Sequence, residues 1–311
     1  MAQGTRPPQG MILAAGAGTR LRPLTDRTPK ALVEVGGRPM LAWVMERMSK
    51  AGVRRLVVNT HHHGDQIREF LEGVAGGAGG EIHGVAATDP GGEDDPGPGG
   101  PTEFQHLDVA VSSEPQGPLG TGGGLFKAAP LFTGDAPIIL HNVDVISEID
   151  LDGLVARHRA AVGSRMKGQK DATTDPGLSV ADPPAPDANV IATLAVQDRG
   201  STRTLLFDDL GLLGWENRGC DHARDGRVQV RDSVGQVRGI SFAGIHVLGP
   251  GIFGLSERTG TFSIITLYLE LARAGWIIQP VDVTGQPWFD IGTAEKLDVA
   301  RSWIKERTPS P

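Results

Sequence analysis

Cysteine, long apolar runs and surplus positive charge are all scarce in this chain. Cys220 is the only cysteine, so no internal disulfide and no cysteine-rich metal site can form, which suits a reducing compartment. No run of 18 apolar residues occurs, and the early apolar run 11–15 is followed at once by Arg20 and Arg22. A membrane span and a signal segment are therefore not expected, and the reading is a soluble, cytoplasmic protein. The formal charge is -7 and the pI about 5.7, which argues against a broad basic face for nucleic acid or an anionic membrane. Any anionic ligand must be captured locally. Internal repeats are lacking as well, and without a hexapeptide array a fused β-helix is excluded. A monomer or small homo-oligomer is expected.

What is present is enough apolar residue, 39% of 311, for a substantial core, read as one domain over 1–311. The run "MILAA" is a strand buried on both faces, stopped by Gly16. Leu41, Val44, Met45 and Met48 recur at helical spacing behind Pro39, with Gly52 past the end. "RRLVVNT" and "DQIREFLEG" continue the alternation of strand and helix. This is the pattern of a doubly wound, mostly parallel α/β sheet, whose ligands gather at strand carboxyl ends. "LDVAVSSE" and "APIILHNVD" are further strands, and a helix covers 151–161. The last third is strand-rich, with "VIATLAVQD", "RTLLFDD", "LLGWEN" and "GISFAGIHVLG" in succession, so hairpins are added to the parallel frame. Two glycine-, proline- and acid-rich tracts, 76–101 and 163–189, read as flexible insertions. Thr293 is the expected N-cap of a terminal helix.

Directly after the first strand, Gly16, Gly18, Thr19 and Arg20 form a loop whose backbone amides can close on phosphate oxygens while the arginine binds them bidentately. The last strand residues, Ala14 and Ala15, would border the same nucleotide. Leu21, Arg22 and Pro23 prevent an immediate helix, so neither the dinucleotide fingerprint nor a Walker loop is met. Two arginines, two threonines and Lys30 lie within this short span. A simple tight connection would not call for them.

"GTRLRPLT" followed by "PKALVEVGGRPML" resembles the signature of the sugar-1-phosphate nucleotidylyltransferases. That resemblance implies a nucleotide-diphospho-sugar transferase fold and transfer of a nucleotidyl group from a nucleoside triphosphate to a sugar 1-phosphate, with release of pyrophosphate. It gives Arg20 and Lys30 the phosphate-gripping, catalytic roles. It assigns Mg²⁺ to Asp144, at the end of "IILHNVD", and Asp290, in "PWFDIGT". Hard carboxylate oxygens suit that ion. The glycine-rich turn Gly120, Thr121, Gly122 and Gly123 is expected against the nucleobase, where bare backbone lets a flat ring approach. Asn142, Glu216 and Gly244 fall on the sugar side. His141, Asn142 and Val143 depart from the small residue often found just before the first aspartate. An Asp144→Asn change is expected to remove activity while leaving the thermal midpoint near wild type.

The chain looks most like short bacterial enzymes using UTP and N-acetylmuramate 1-phosphate. Mannose-1-phosphate guanylyl- and glucose-1-phosphate thymidylyl-transfer are the alternatives. A non-catalytic nucleotide-sugar-binding regulatory subunit is the rival of another class, disfavoured because Arg20, Lys30, Asp144 and Asp290 are all retained. The histidines of "NTHHHGDQ" cannot all converge, since neighbours on a strand end alternate in direction, and they read as loop residues lining the cleft. Cys220 has no histidine partner legible from sequence, so no nucleophilic role is assigned to it.

Overall fold

A computed structural model describes residues 6–75, 104, 106–166, 190–219 and 226–307. The tract 76–101, residues 167–189 of the second tract, and Cys220 lie outside these. Strand β1 is Gln9–Leu13; the two-residue strands β2 (Glu34–Val35) and β3 (Arg38–Pro39) lead into helix α1 (Met40–Lys50). There follow β4 (Arg55–Thr60), α2 (Gly64–Ala75), β5 (Asp108–Ser113), α3 (Gly120–Lys127), β6 (Ile138–Asn142), β7 (Val145–Ser147) and α4 (Leu151–Met166). The last part holds β8 (Val190–Gln197), β9 (Arg203–Asp208), β10 (Gly211–Asn217), β11 (Arg227–Gln229) and β12 (Arg238–Leu248). It closes with α5 (Ile264–Arg273), β13 (Ile277–Asp282), β14 (Trp288–Asp290) and α6 (Ala294–Arg307).

One ten-stranded sheet runs through both halves in the order β11-β10-β9-β12-β6-β1-β4-β5, with β8 and β13 branching from β12. β6, β1, β4 and β5 are parallel to one another, as the strand–helix alternation requires. The strand-rich last third joins antiparallel through β12 on β6 and continues as the β9–β10–β11 hairpins. The sheet as a whole is thus mixed, with a parallel half and a second half that is antiparallel except for the parallel pair β8–β13.

The two faces of β1 explain its unbroken apolar run. Ile12 packs with Leu56, Val58, α1 and α2 on one face. Met11 packs with Val57, Leu140, α3 and α5 on the other. Both side chains are fully buried, and each such burial stabilises by roughly 1.5–3 kcal/mol. A third cluster docks α6, through Leu297, Ala300 and Ile304, on Val33, Val35, Met40, Ile146 and Ile291. That cluster ties the end of the chain to the loop that follows β1.

Two boundaries differ from the sequence reading. β1 ends at Leu13, two residues before the apolar run does, because the Ala14 N–H leaves the ladder and donates to the Asn59 side chain at 2.8 Å. α4 continues to Met166, so residues 163–166, expected in the second insertion, are helical. No helix among the described residues is long and apolar enough to cross a membrane.

Candidate active site

Leu13, Asn59 and Asn142 stand level with one another at the carboxyl ends of β1, β4 and β6. All three line a cleft of about 340 Å³. Its roof is the loop after β1, which proceeds by three short 3₁₀ turns, Thr19–Leu21, Leu24–Asp26 and Lys30–Leu32. Gly18 makes the reversal at φ +64, where a Cβ would lie 2.9 Å from Thr25 Cγ2 and 3.0 Å from Lys30 Cβ. Thr25 Oγ1 donates to the Gly18 carbonyl at 2.9 Å, and Leu21 is buried. The loop is therefore held by its own contacts.

Ala15, Gly16, Gly18 and Thr19 line the cleft beside Arg20 and Lys30. Ala14 is buried behind them. The Arg20 guanidinium passes over Gly292, at which a Cβ would come within 3.1 Å of Arg20 Nη2. Gly292 thus leaves space that the arginine fills.

β7 and β14 bring the two aspartates together. Asp290 is the register partner of Val145, and the Ile291 N–H donates to the Asp144 carbonyl at 2.8 Å. Asp144 lines the cleft, whereas Asp290 is not among the lining residues, although Gly292, two positions on, is. Each carboxylate has its own lysine. Lys30 Nζ donates to Asp144 Oδ2 at 2.5 Å and Lys296 Nζ to Asp290 Oδ2 at 2.8 Å. The Lys30 side chain is only 9% exposed, against 51% for Lys296. Thr293 caps α6 as expected, accepting from the Lys296 N–H at 3.5 Å. No group of three or more metal-ligating side chains occurs among the described residues. Two hard carboxylates, with other coordination positions left to water and phosphate, fit Mg²⁺, which keeps several waters and substrate oxygens.

The glycine-rich turn divides in two. Gly120 and Thr121 line the cleft. Gly120 has φ +71, and Thr121 Oγ1 accepts the Ile264 N–H at 2.9 Å. Gly122 and Gly123 instead face inward, where a Cβ would lie 2.3 Å from Phe262 Cε2 and 2.2 Å from the Gly260 carbonyl oxygen. These two glycines serve the packing of α3 and do not line the cleft, contrary to expectation.

On the expected sugar side, Asn142 lines the cleft and its amide lies over Gly244, where a Cβ would be 2.9 Å from Asn142 Nδ2. Glu216 is not among the lining residues. Its carboxylate accepts from Arg218 Nε at 2.7 Å and Thr204 Oγ1 at 3.2 Å, and Arg227 is 3.8 Å away. These partners make it a brace between β9, β10 and β11. The histidines do not line the cleft either. His61 Nδ1 donates to the Glu114 carbonyl at 2.8 Å, and His63 Nε2 donates to the Asp26 carbonyl at 3.3 Å, supporting the loop from outside.

Asn59 and Glu114 escaped the sequence reading. Asn59 Oδ1 holds the Ala14 N–H, while its Nδ2 donates to Glu114 Oε1 at 2.7 Å. Glu114 Oε2 accepts the Leu119 N–H at 2.7 Å, just ahead of α3. This chain of bonds sets the loop after β1 against the glycine turn, and Gly124 leaves room for it. The available signal was a lone asparagine at the end of an apolar strand. His141, beneath Asn142, is held neutral, its pKa pushed down to about 4 by burial. Pro118, Val143 and Gly292 also line the cleft unforeseen.

An open α/β sheet with a cationic, glycine-rich loop over its strand ends belongs to the class that takes its ligand at a topological switch point. Residues 9–167, just over half of the chain, match the family described as nucleotidyl transferase. The chain belongs to that family. It is 29% identical over 302 residues to the N-acetylmuramate alpha-1-phosphate uridylyltransferase of Caulobacter vibrioides, covering 96% of this chain and 98% of that protein. To the enzyme of the same description from Neisseria meningitidis it is 37% identical over 142 residues, 46% of this chain and 49% of that one, so this match spans about half of the relative. The inositol-1-phosphate CTP transferase structure from T. maritima shares the fold, with a TM-score of 0.60 over 98% of this chain and 100% of that one at 16% identity.

Proposed function

We propose that this chain transfers a nucleotidyl group from a nucleoside triphosphate to a sugar 1-phosphate, with UTP and N-acetylmuramate 1-phosphate as its substrates. The observation that carries the reading is the meeting of Arg20, Lys30 and Asp144 at one cleft, with β14, which bears Asp290, paired to β7 beside Asp144. The two uridylyltransferase relatives support the choice of substrates.

In this account the triphosphate enters beneath Gly16, Gly18 and Thr19, whose backbone closes on it, while Arg20 binds phosphate oxygens through its fork of N–H donors. The base lies toward Gly120 and Thr121. An oxygen of the sugar 1-phosphate attacks the α-phosphorus in line; the new P–O bond forms as the bond to the β-phosphate oxygen breaks, and pyrophosphate leaves with the electron pair. Charge builds on the equatorial oxygens, and Lys30 and Arg20 neutralise it. Mg²⁺, when held by Asp144 and Asp290, supplies further neutralisation. Lys30, which lines the same cleft, would offer its ammonium to phosphate oxygens there. No side chain forms a covalent intermediate; the protein positions and neutralises. Asn142 and Gly244 border the sugar. A cytoplasmic site of action belongs to the same proposal.

A panel of UTP, GTP, dTTP and CTP against several sugar 1-phosphates with Mg²⁺, read by pyrophosphate release, tests this. UTP with N-acetylmuramate 1-phosphate should give the highest kcat/KM. Tight binding of nucleotide sugars with no turnover of any pair would refute it in favour of a regulatory protein.

A further inference from the structure

Glu114, directly after β5, is 1% exposed and has no cation within ion-pair distance among the described residues. Every polar group it carries is nonetheless bonded. Its N–H donates to the Thr60 carbonyl at 2.8 Å and its carbonyl accepts from His61 Nδ1 at 2.8 Å. Its two carboxylate oxygens accept from Asn59 Nδ2 and from the Leu119 N–H, each at 2.7 Å. Asn59, also buried, holds the Ala14 N–H on its Oδ1 at 2.8 Å. Gly124 of α3 closes on the junction, where a Cβ would lie 2.7 Å from both Asn59 Nδ2 and Glu114 Oε1. One unbroken line of bonds thus runs from Ala14, at the foot of the loop after β1, to Leu119, the residue ahead of α3. Each end adjoins the cleft, through Ala15, Gly16 and Gly18 on one side and Pro118, Gly120 and Thr121 on the other.

The residue types match the bonds. Asn59 receives on one side and gives on the other, which an amide does and a carboxylate cannot. Glu114 receives two N–H bonds on two oxygens, whereas a glutamine has one amide oxygen and would set its NH₂ against one of the donors. Filling space asks for none of this, since leucine and methionine occupy similar volumes without the cost of burying a carboxylate away from cations. What the line of bonds does is fix a distance. In the proposed reaction the phosphates lie beneath the loop and the base lies against the glycine turn, so one ligand must reach both. Two half-sites held at the right span bind a joined ligand far more tightly than either binds its half, and that gain is lost when the span is free to vary.

We propose that Asn59 and Glu114 are positioning residues that hold the two half-sites at the span of a single nucleoside triphosphate; this rests on the transfer reaction proposed above. Calorimetry of the full chain with Mg²⁺ tests it, using UTP as the whole ligand and inorganic tripolyphosphate and uridine as its halves. Wild type should bind UTP about 100-fold or more tightly than either half, the gain expected of linked sites. Glu114→Gln should lose about 10- to 100-fold for UTP but less than about threefold for tripolyphosphate and for uridine. Adding Asn59→Asp to Glu114→Gln restores the order of donors and acceptors, with the carboxylate moved to position 59. The charge then sits on the cleft wall and opposes UTP and tripolyphosphate alike, so the ratio of their affinities should return to that of wild type. Wild type that binds UTP no better than tripolyphosphate overturns the proposal, and that comparison needs no folded variant. A ratio unchanged in Glu114→Gln, whatever happens to its thermal midpoint, overturns it too and assigns the pair to the fold alone. So does a ratio that stays low in the double variant. Wild type that binds none of UTP, GTP, dTTP and CTP would instead overturn the transfer reaction, and this inference with it.

Discussion

Replacing Asp144 by asparagine should cost stability as well as activity, because of what it does to Lys30. The Lys30 side chain is 9% exposed and Asp144 24%. Among the described residues no other group accepts from the Lys30 ammonium. Breaking a buried ion pair on one side costs roughly 3–5 kcal/mol, since the remaining charge stays desolvated. Water at the quarter-exposed carboxylate and the amide oxygen of the replacement recover part of this, leaving about 1–3 kcal/mol. At about 2–4 °C per kcal/mol for a domain of a few hundred residues, the midpoint falls by about 2–12 °C. Asp290→Asn is the internal control. It likewise removes one carboxylate, but its partner Lys296 is half exposed, and such pairs contribute at most about 1 kcal/mol. Both variants should be inactive. Thermal unfolding followed by circular dichroism without Mg²⁺ separates them, and adding Lys30→Met to Asp144→Asn should restore most of the lost midpoint. An Asp144→Asn midpoint within 1 °C of wild type, or no lower than that of Asp290→Asn, refutes this account of the pair. The sequence alone suggested no loss of stability, because the burial of Lys30 was not legible in it.

Gly18→Ala should weaken triphosphate binding about tenfold or more, because φ +64 costs a non-glycine residue about 1–2 kcal/mol and the Cβ crowds Lys30. Calorimetry with a triphosphate checks this, and a Gly18→Ala affinity equal to wild type would contradict it. Gly124→Ala places a Cβ 2.7 Å from Asn59 Nδ2 and Glu114 Oε1. It should lower stability by about 1–3 kcal/mol and raise KM for the triphosphate; an unchanged urea midpoint would argue against that bond chain. His141 and His158, both lowered to about 4, and His246, lowered to about 3, are neutral in the fold because burial disfavours their charge. Their ordinary value is 6.5, so between pH 6.5 and 4 the unfolded chain binds protons that the folded chain refuses. Stability should fall by up to about 1.4 kcal/mol per pH unit for each histidine. Urea midpoints at pH 7 and pH 5 check this, and equal values would contradict it.

The parallel half was legible because each of its strands carries an apolar run between helix signals, and burial on both faces leaves that mark on local sequence. The cleft-lining loop after β1 was legible for a related reason. Gly18, Arg20 and Lys30 are close in sequence, and their chemistry is unusual for a connection. What could not be read depends on partners far along the chain. Gly122 and Gly123 look like Gly120, yet Phe262 and Gly260 fill the space beside them, and nothing in "GTGGG" foretells that. Glu216 sits in a strand of the right kind, but Arg218, Arg227 and Thr204 claim its carboxylate. Asn59 becomes structural only when β4 lies beside β1 and its amide meets Ala14 and Glu114. The pairing of Asp144 with Lys30 likewise spans 114 positions.

The most direct test of the central claim follows pyrophosphate and nucleotide sugar together, with UTP, N-acetylmuramate 1-phosphate and Mg²⁺, in wild type and Lys30→Ala. The account predicts equal amounts of the two products, formed only when the sugar phosphate is present, and a loss of at least a hundredfold in kcat/KM in the variant. Pyrophosphate released without the sugar phosphate, or a Lys30→Ala protein as active as wild type, would contradict it.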